Sequence, residues 1–142
     1  MTKVISGFPG IGKSYVFESI TDLKILDSDS SKFPRKATQF PSNYIKHIKD
    51  NIGKADIILV SSHSVVRDAL VMSRIDFTLV YPEKSLKREY LERFKQRGSS
   101  QVFIDNVDKF WDEWIDACDR QRFCTKVVLS KGMYLGHVLG VI

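Results

Sequence analysis

Five short apolar runs punctuate the chain: Val4–Ser6, Lys24–Asp27, Asp56–Ser61, Phe77–Tyr81 and Lys126–Ser130. Each has the length of a strand. Between them lie segments of helical character, at 13–20, about 43–52, about 64–74, about 84–97 and about 102–121. Continuously apolar strands that alternate with helices predict βαβ units. The expected fold class is therefore α/β, with a five-stranded parallel sheet and helices on both faces. Ligands of such sheets sit at the carboxyl ends of the strands. The residues just after each strand are thus where chemistry is to be sought. The 28–42 segment, with Pro34, Arg35, Lys36 and Pro41, reads as one long loop. Loops of that length are usually functional or mobile.

The 142 residues suit one domain, 1–142, with a single core. A hydrophobic content of 43% and a charged content of 27% fit a soluble globular protein. No apolar run approaches the roughly 18–20 residues of a membrane span, so no membrane partner is expected. The first strand follows the N-terminus directly, and no signal peptide is expected. Cys118 and Cys124 form no zinc pattern, which makes the reducing cytoplasm the expected compartment. The formal net charge of +5 suits anionic ligands such as nucleotides and does not by itself indicate nucleic acid.

The stretch KVISGFPGIGKSYVF, residues 3–17, contains Gly7, four residues, then Gly12-Lys13-Ser14. This fits the phosphate-binding spacing G-x-x-x-x-G-K-[ST]. Its context also fits, because Val4-Ile5-Ser6 precedes it as a strand and KSYVFESI follows as a helix. Glycines let the backbone turn its N–H groups around phosphates, and the helix N-terminus adds partial positive charge. Gly7, Pro9, Gly10, Ile11, Gly12, Lys13, Ser14 and Tyr15 are the candidate nucleotide-binding positions. Lys13 is expected at the β- and γ-phosphates and Ser14 on Mg²⁺.

After the second strand comes LDSDS, in which Asp27 and Asp29 alternate and share one side of an extended chain. One carboxylate suits a metal-bound water and the other the proton of an acceptor hydroxyl. The third strand ends in Ser61-Ser62-His63, where a motor ATPase would place an acidic pair. Its absence makes Asp27 the better metal-side carboxylate, with Ser61, Ser62 or His63 near the metal waters or, for His63, at a helix cap. After the fourth strand, the helix YPEKSLKREYLERFKQRG carries Arg93 and Arg97 four residues apart on one face. These arginines are placed to neutralise a transferring phosphoryl group. In the next helix Phe103, Val107, Trp111, Trp114 and Cys118 form a stripe. It reads chiefly as core, with room for one aromatic to border an acceptor base. Ser130-Lys131-Gly132, after the fifth strand, is placed to edge an adenine.

A GTPase would need N-K-x-D, which the chain lacks. Asp50-Asn51-Ile52-Gly53 matches D-x-x-G formally but follows KHIK and reads as a helix end. A phosphotransferase remains. On GFPGIGKS, LDSDS and the arginine-bearing helix, the chain resembles the small P-loop kinases. These include nucleoside and nucleotide kinases, shikimate and gluconate kinases, and polynucleotide 5′-hydroxyl kinases. It is also similar to phage-type nucleotide kinase-like proteins. The resemblance implies a three-layer P-loop NTPase fold with a short helical lid at about 84–98. It implies ATP as donor, Mg²⁺, and a nucleoside, nucleotide or similar small acceptor. In shikimate kinases a similar D-x-D supports Mg²⁺ with its first Asp and binds the acceptor hydroxyl with its second. Carried over, this assigns Asp27 to Mg²⁺ and Asp29 to the acceptor. The shikimate-type glycine pair after the third strand and the D-G-x-P-R of adenylate kinases are both missing. Two alternatives stand beside the small-molecule kinase: a polynucleotide 5′-hydroxyl kinase, and a non-catalytic ATP-binding module acting through a partner. The paired carboxylates favour an enzyme, because a pure binder needs no base.

Kinetics against Mg²⁺ concentration separate the two carboxylates. Asp29→Asn is expected to lose roughly 10²–10⁴ in rate with its Mg²⁺ dependence unchanged. Asp27→Asn is expected to raise the Mg²⁺ requirement. The opposite pattern would reverse the two roles.

Overall fold

The computed structural model describes residues 1–28 and 40–142. Among these residues five strands, β1 (Lys3–Gly7), β2 (Ile25–Ser28), β3 (Ile57–Ser61), β4 (Thr78–Pro82) and β5 (Thr125–Leu129), form one parallel sheet in the order β2-β3-β1-β4-β5. The helices are α1 (Lys13–Ser19), α2 (Ser42–Asn51), α3 (Ser64–Met72), α4 (Lys87–Gln96), α5 (Gln101–Arg120) and α6 (Leu135–Val138). Val4, Ile5 and Ser6 are consecutive and all buried, as are Ile57 to Val60 and Leu79 to Tyr81. Side chains alternate across a strand, so both faces of these central strands are covered. That arrangement is compatible with three layers. β5 exposes Thr125 and Lys126, as an edge strand does.

The chain leaves β1 outward to β2, returns to β3 beside β1, and then passes to β4 on the other side of β1. The direction of winding reverses at β1, and a crevice opens at its carboxyl end. The loop after Gly7 emerges there.

The helices cover the sheet through apolar stripes. α2 buries Tyr44, Ile45 and Ile48, and α3 buries Val66 and Leu70. α5 buries Ile104, Val107, Trp111, Ile115 and Cys118. The expected stripe is therefore turned slightly. Ile104 and Ile115 take central places, whereas Phe103 and Trp114 lie at its half-buried margin. The acids beside them keep that margin toward solvent. Ser100 caps α5 by accepting from the Phe103 N–H at 3.2 Å. Asp50-Asn51-Ile52-Gly53 is a helix end: α2 stops at Asn51, and Gly53 has φ +89°.

The segment expected as one helix from 84 opens with a 3₁₀ turn, Lys84–Leu86, and becomes α4 at Lys87. Gly98 follows with φ +77°, the left-handed geometry that commonly closes a helix. The four-residue α6 was not expected, because it is too short to show a helical period. Among the described residues no helix is long and apolar enough to cross a membrane.

An aromatic cluster joins α4 and α5 to the end of β1. Phe8 meets Trp111 edge-on at 5.4 Å, and Tyr90 lies 5.5 Å from Trp111. Phe94 meets Phe103 edge-on at 5.0 Å. Such pairs add roughly 0.5–1.5 kcal/mol beyond the area they bury. The Trp111 indole N–H donates to the Lys84 carbonyl at 2.8 Å, which fixes the 3₁₀ turn that leads into α4. Trp111→Ala is expected to lower the unfolding free energy by about 3–5 kcal/mol. Trp111→Phe should lose far less in urea denaturation, since it keeps a ring. Equal losses would show that the cluster does not depend on the ring.

Candidate functional site

Gly7 ends β1, and the chain then turns back toward α1 through Phe8-Pro9-Gly10-Ile11-Gly12. Phe8 and Ile11 are buried and anchor the turn from beneath. Gly10 and Gly12 have φ +86° and +97°, a region that L side chains rarely adopt. A Cβ on Gly10 would stand 3.0 Å from the Phe94 ring and 3.1 Å from that of Tyr90. The loop therefore needs glycine there on two counts, its dihedral and the close approach of α4. The Leu135 N–H donates to the Ile11 carbonyl at 2.8 Å, which joins the loop to the start of α6. The Lys13 ammonium curls over the loop and donates to the carbonyls of Gly7 at 2.5 Å and Phe8 at 3.3 Å.

Arg93 reaches this loop from α4. Its Nη1 donates to the Gly10 carbonyl at 2.8 Å, and its Nη2 pairs with Glu89 at 3.2 Å. The guanidinium lies between two rings, 4.2 Å from the centroid of Tyr90 and 3.9 Å from that of Tyr134. Only 13% of the side chain is exposed. Glu89 and Arg93 are four residues apart on one helix face and pair there, yet the arginine is turned inward. Burial pushes the Tyr90 phenol up to about 12, with the Arg93 charge acting in the opposite sense. Tyr90 thus stays a neutral O–H, and its hydroxyl makes no hydrogen bond among the described residues. Arg97, one turn further on, lies 4.8 Å from the Phe94 ring centroid and donates from Nε to Ser99 at 3.1 Å. Burial lowers its pKa, but an arginine keeps its charge in any protein environment.

These groups face one cavity of about 700 Å³ at the carboxyl end of β1. Lys13, Ser14, Asp27, Arg93 and Arg97 all line it. Asp27 arrives from the end of β2, where its residue pairs with Leu59 of β3. Its neighbour Ser28 is buried and fixed: Tyr44 donates to its carbonyl, and its hydroxyl lies 3.0 Å from His47 Nε2. The described lining holds three cationic side chains and one carboxylate, a balance suited to a polyanion. The cavity can hold a phosphorylated ligand against a lysine and two arginines, with a hydroxyl and a carboxylate to hand.

Of the other expected positions, Pro9, Gly10, Gly12 and the exposed Tyr15 also line the cavity. Gly7 and Ile11 are buried beneath the loop. Ser61 lines the cavity. Ser62 and His63 line a neighbouring one, and His63 occupies the N-cap position of α3. Asp29 lies outside the described residues, as does most of the 28–42 loop. Ser130, Lys131 and Gly132 are exposed and do not line the cavity, and Ser130 donates to Glu83 at 3.0 Å. From the segment after β5 it is Tyr134 that reaches the cavity. It lines the cavity, covers Arg93 and stands 3.3 Å from where a Gly12 Cβ would be. Sequence reasoning missed Tyr134 because the residues directly after the fifth strand are nearer to the strand end. Its aromatic character two positions beyond Gly132 was the available signal.

Comparison with protein-family models finds no match, and comparison with curated proteins finds none either. The functional reading comes from the cavity.

Gly10→Ala is expected to destabilise the fold by about 1–3 kcal/mol, through its dihedral and its approach to Phe94 and Tyr90. Chemical denaturation measures this. Unchanged stability would mean that α4 does not press on the loop.

Proposed function

We propose that the chain is an ATP-dependent phosphotransferase of the small P-loop kinase type. It moves the γ-phosphoryl group to a nucleoside, nucleotide or similar small acceptor. In this reading the fold is a three-layer P-loop NTPase and 84–98 is its lid. The observation that supports it is the gathering of Lys13, Ser14, Asp27, Arg93 and Arg97 around one cavity at the end of β1.

The roles follow from charge. The triphosphate competes with the Gly7 and Phe8 carbonyls for the Lys13 ammonium, which then meets the β- and γ-phosphates. Arg97, and Arg93 where its Gly10 bond permits, neutralise charge that builds on the moving phosphoryl group. Ser14 and Asp27 would hold Mg²⁺, an ion that takes one or two carboxylates with substrate phosphates and keeps several waters. Bound there, Mg²⁺ would supply positive charge to the phosphate oxygens. The acceptor oxygen bonds to the γ-phosphorus as the bond to the β,γ-bridging oxygen breaks and ADP leaves. For a hydroxyl acceptor, the proton is assigned to Asp29.

Transfer of labelled γ-phosphate to a panel of nucleosides, nucleotides, oligonucleotides and small hydroxy acids tests this reading. Lys13→Ala is expected to reduce turnover by roughly 10²–10³. Arg93→Ala and Arg97→Ala should reduce turnover more than ATP affinity, since their contacts tighten in the transition state. Of the two, Arg93→Ala should also lower thermal stability, because it leaves the Gly10 carbonyl without its donor. Lys13→Ala turnover within about threefold of the unmodified protein would contradict the reading, since a lost transition-state contact of this kind costs far more.

A further inference from the structure

A second cavity, of about 430 Å³, adjoins the cationic one. Pro9 and Phe103 line both, and the consecutive residues Ser61 and Ser62 line one each. The two cavities are thus neighbours around the tip of β3. A single ligand can have one part in each. The volume falls within the roughly 300–1,000 Å³ of small-molecule sites.

The chemistry of the second cavity differs from that of the first. Three of its walls are the rings of Phe8, Phe103 and Trp114. Trp114 is half-buried, edge-on to Phe8 at 6.4 Å and stacked on Phe110 at 6.0 Å. Arg67, only 5% exposed, stiffens the site. It donates to the carbonyls of Ser62 at 2.8 Å and Ala117 at 3.3 Å, and to Gln121 Oε1 at 2.6 Å, so it ties the end of β3 to α5. The exposed Glu113 also lines the cavity. Neither its carboxylate nor the Trp114 indole N–H makes a hydrogen bond among the described residues, and Glu113 enters no ion pair there.

Aromatic walls take a flat ring by stacking, and a carboxylate at their margin accepts from N–H donors on the ring's edge. A small aliphatic hydroxy acid would instead bring its own carboxylate against Glu113. We propose that this second cavity is the acceptor subsite, and that it takes the nucleobase of a nucleoside or nucleotide. Guanine, whose pairing edge carries adjacent N–H donors, is favoured over thymine, which offers one. The subsite rests on the phosphotransferase reading above, because its role as acceptor site depends on a phosphoryl donor in the first cavity.

Calorimetric titration of the full chain tests it, with Mg·ADP at saturation to fill the cationic cavity. The probes are deoxyguanosine and thymidine. Deoxyguanosine should bind at least about tenfold more tightly, as expected for a well-placed bidentate contact. Trp114→Ala should weaken it by roughly 10–100-fold, and Trp114→Phe should recover most of that loss. Glu113→Gln, at an exposed position, keeps the shape of the side chain and should bring the two nucleosides to within about threefold of each other. The proposal is overturned if deoxyguanosine binds but neither Trp114→Ala nor Glu113→Gln moves its affinity beyond about twofold. It is also overturned if neither nucleoside binds to protein that holds Mg·ADP, an outcome that leaves the phosphotransferase reading intact. Failure of Mg·ADP to bind, or an unchanged affinity for it in Lys13→Ala, removes that underlying reading as well.

Discussion

Arg93 ties three parts of the chain together at the mouth of the main cavity. Its guanidinium donates to the carbonyl of Gly10, 83 positions earlier, and lies over the rings of both Tyr90 and Tyr134. A hydrogen bond from a charged donor is worth roughly 1.5–3 kcal/mol net. A largely desolvated cation–π contact adds up to about 2 kcal/mol. These terms share one side chain and are not additive. Together they hold α4, the glycine loop and the segment before α6 in one arrangement.

The shape of the site follows from that tie. Gly10 lets the loop pass beneath α4, and Gly12 lets it pass Tyr134, without a Cβ in the way, and Ile11 anchors it from below. The aromatic cluster of Phe8, Tyr90, Phe94 and Trp111 backs the loop and α4 at once. Cations on α4 are consequently held where Lys13 and Ser14 already lie. In the proposed reading the arginines are already at the cavity when the triphosphate enters, and Lys13 exchanges its loop carbonyls for phosphate. It also places the ring-lined cavity beside the cationic one, since Phe8 and Pro9 leave β1 between them.

The sheet was legible because its strands are continuous apolar runs, which a parallel sheet buried on both faces requires. The glycine loop was legible because its spacing is local, and so was the shared face of Arg93 and Arg97. What could not be read were contacts between distant segments. The helical pattern showed that Arg93 has a face but not that the face meets Gly10. The α5 stripe was found, but which of its flanking residues sink into the core depends on packing against α4 and β1. Tyr134 escaped because α6 is a single turn and carries no period. Asp27 is placed in the cavity as expected from its position at a strand end, whereas its companion Asp29 falls outside the described residues.

The central claim is that the Gly7–Ser14 loop and the α4 arginines form one triphosphate site. A crystal structure with Mg²⁺ and a non-hydrolysable ATP analogue tests it most directly. The account predicts the β- and γ-phosphates against Lys13, with Arg97 or Arg93 on the terminal phosphate and Ser14 on the metal. Phosphates bound away from this loop, or bound to it with both arginines turned elsewhere, would contradict it.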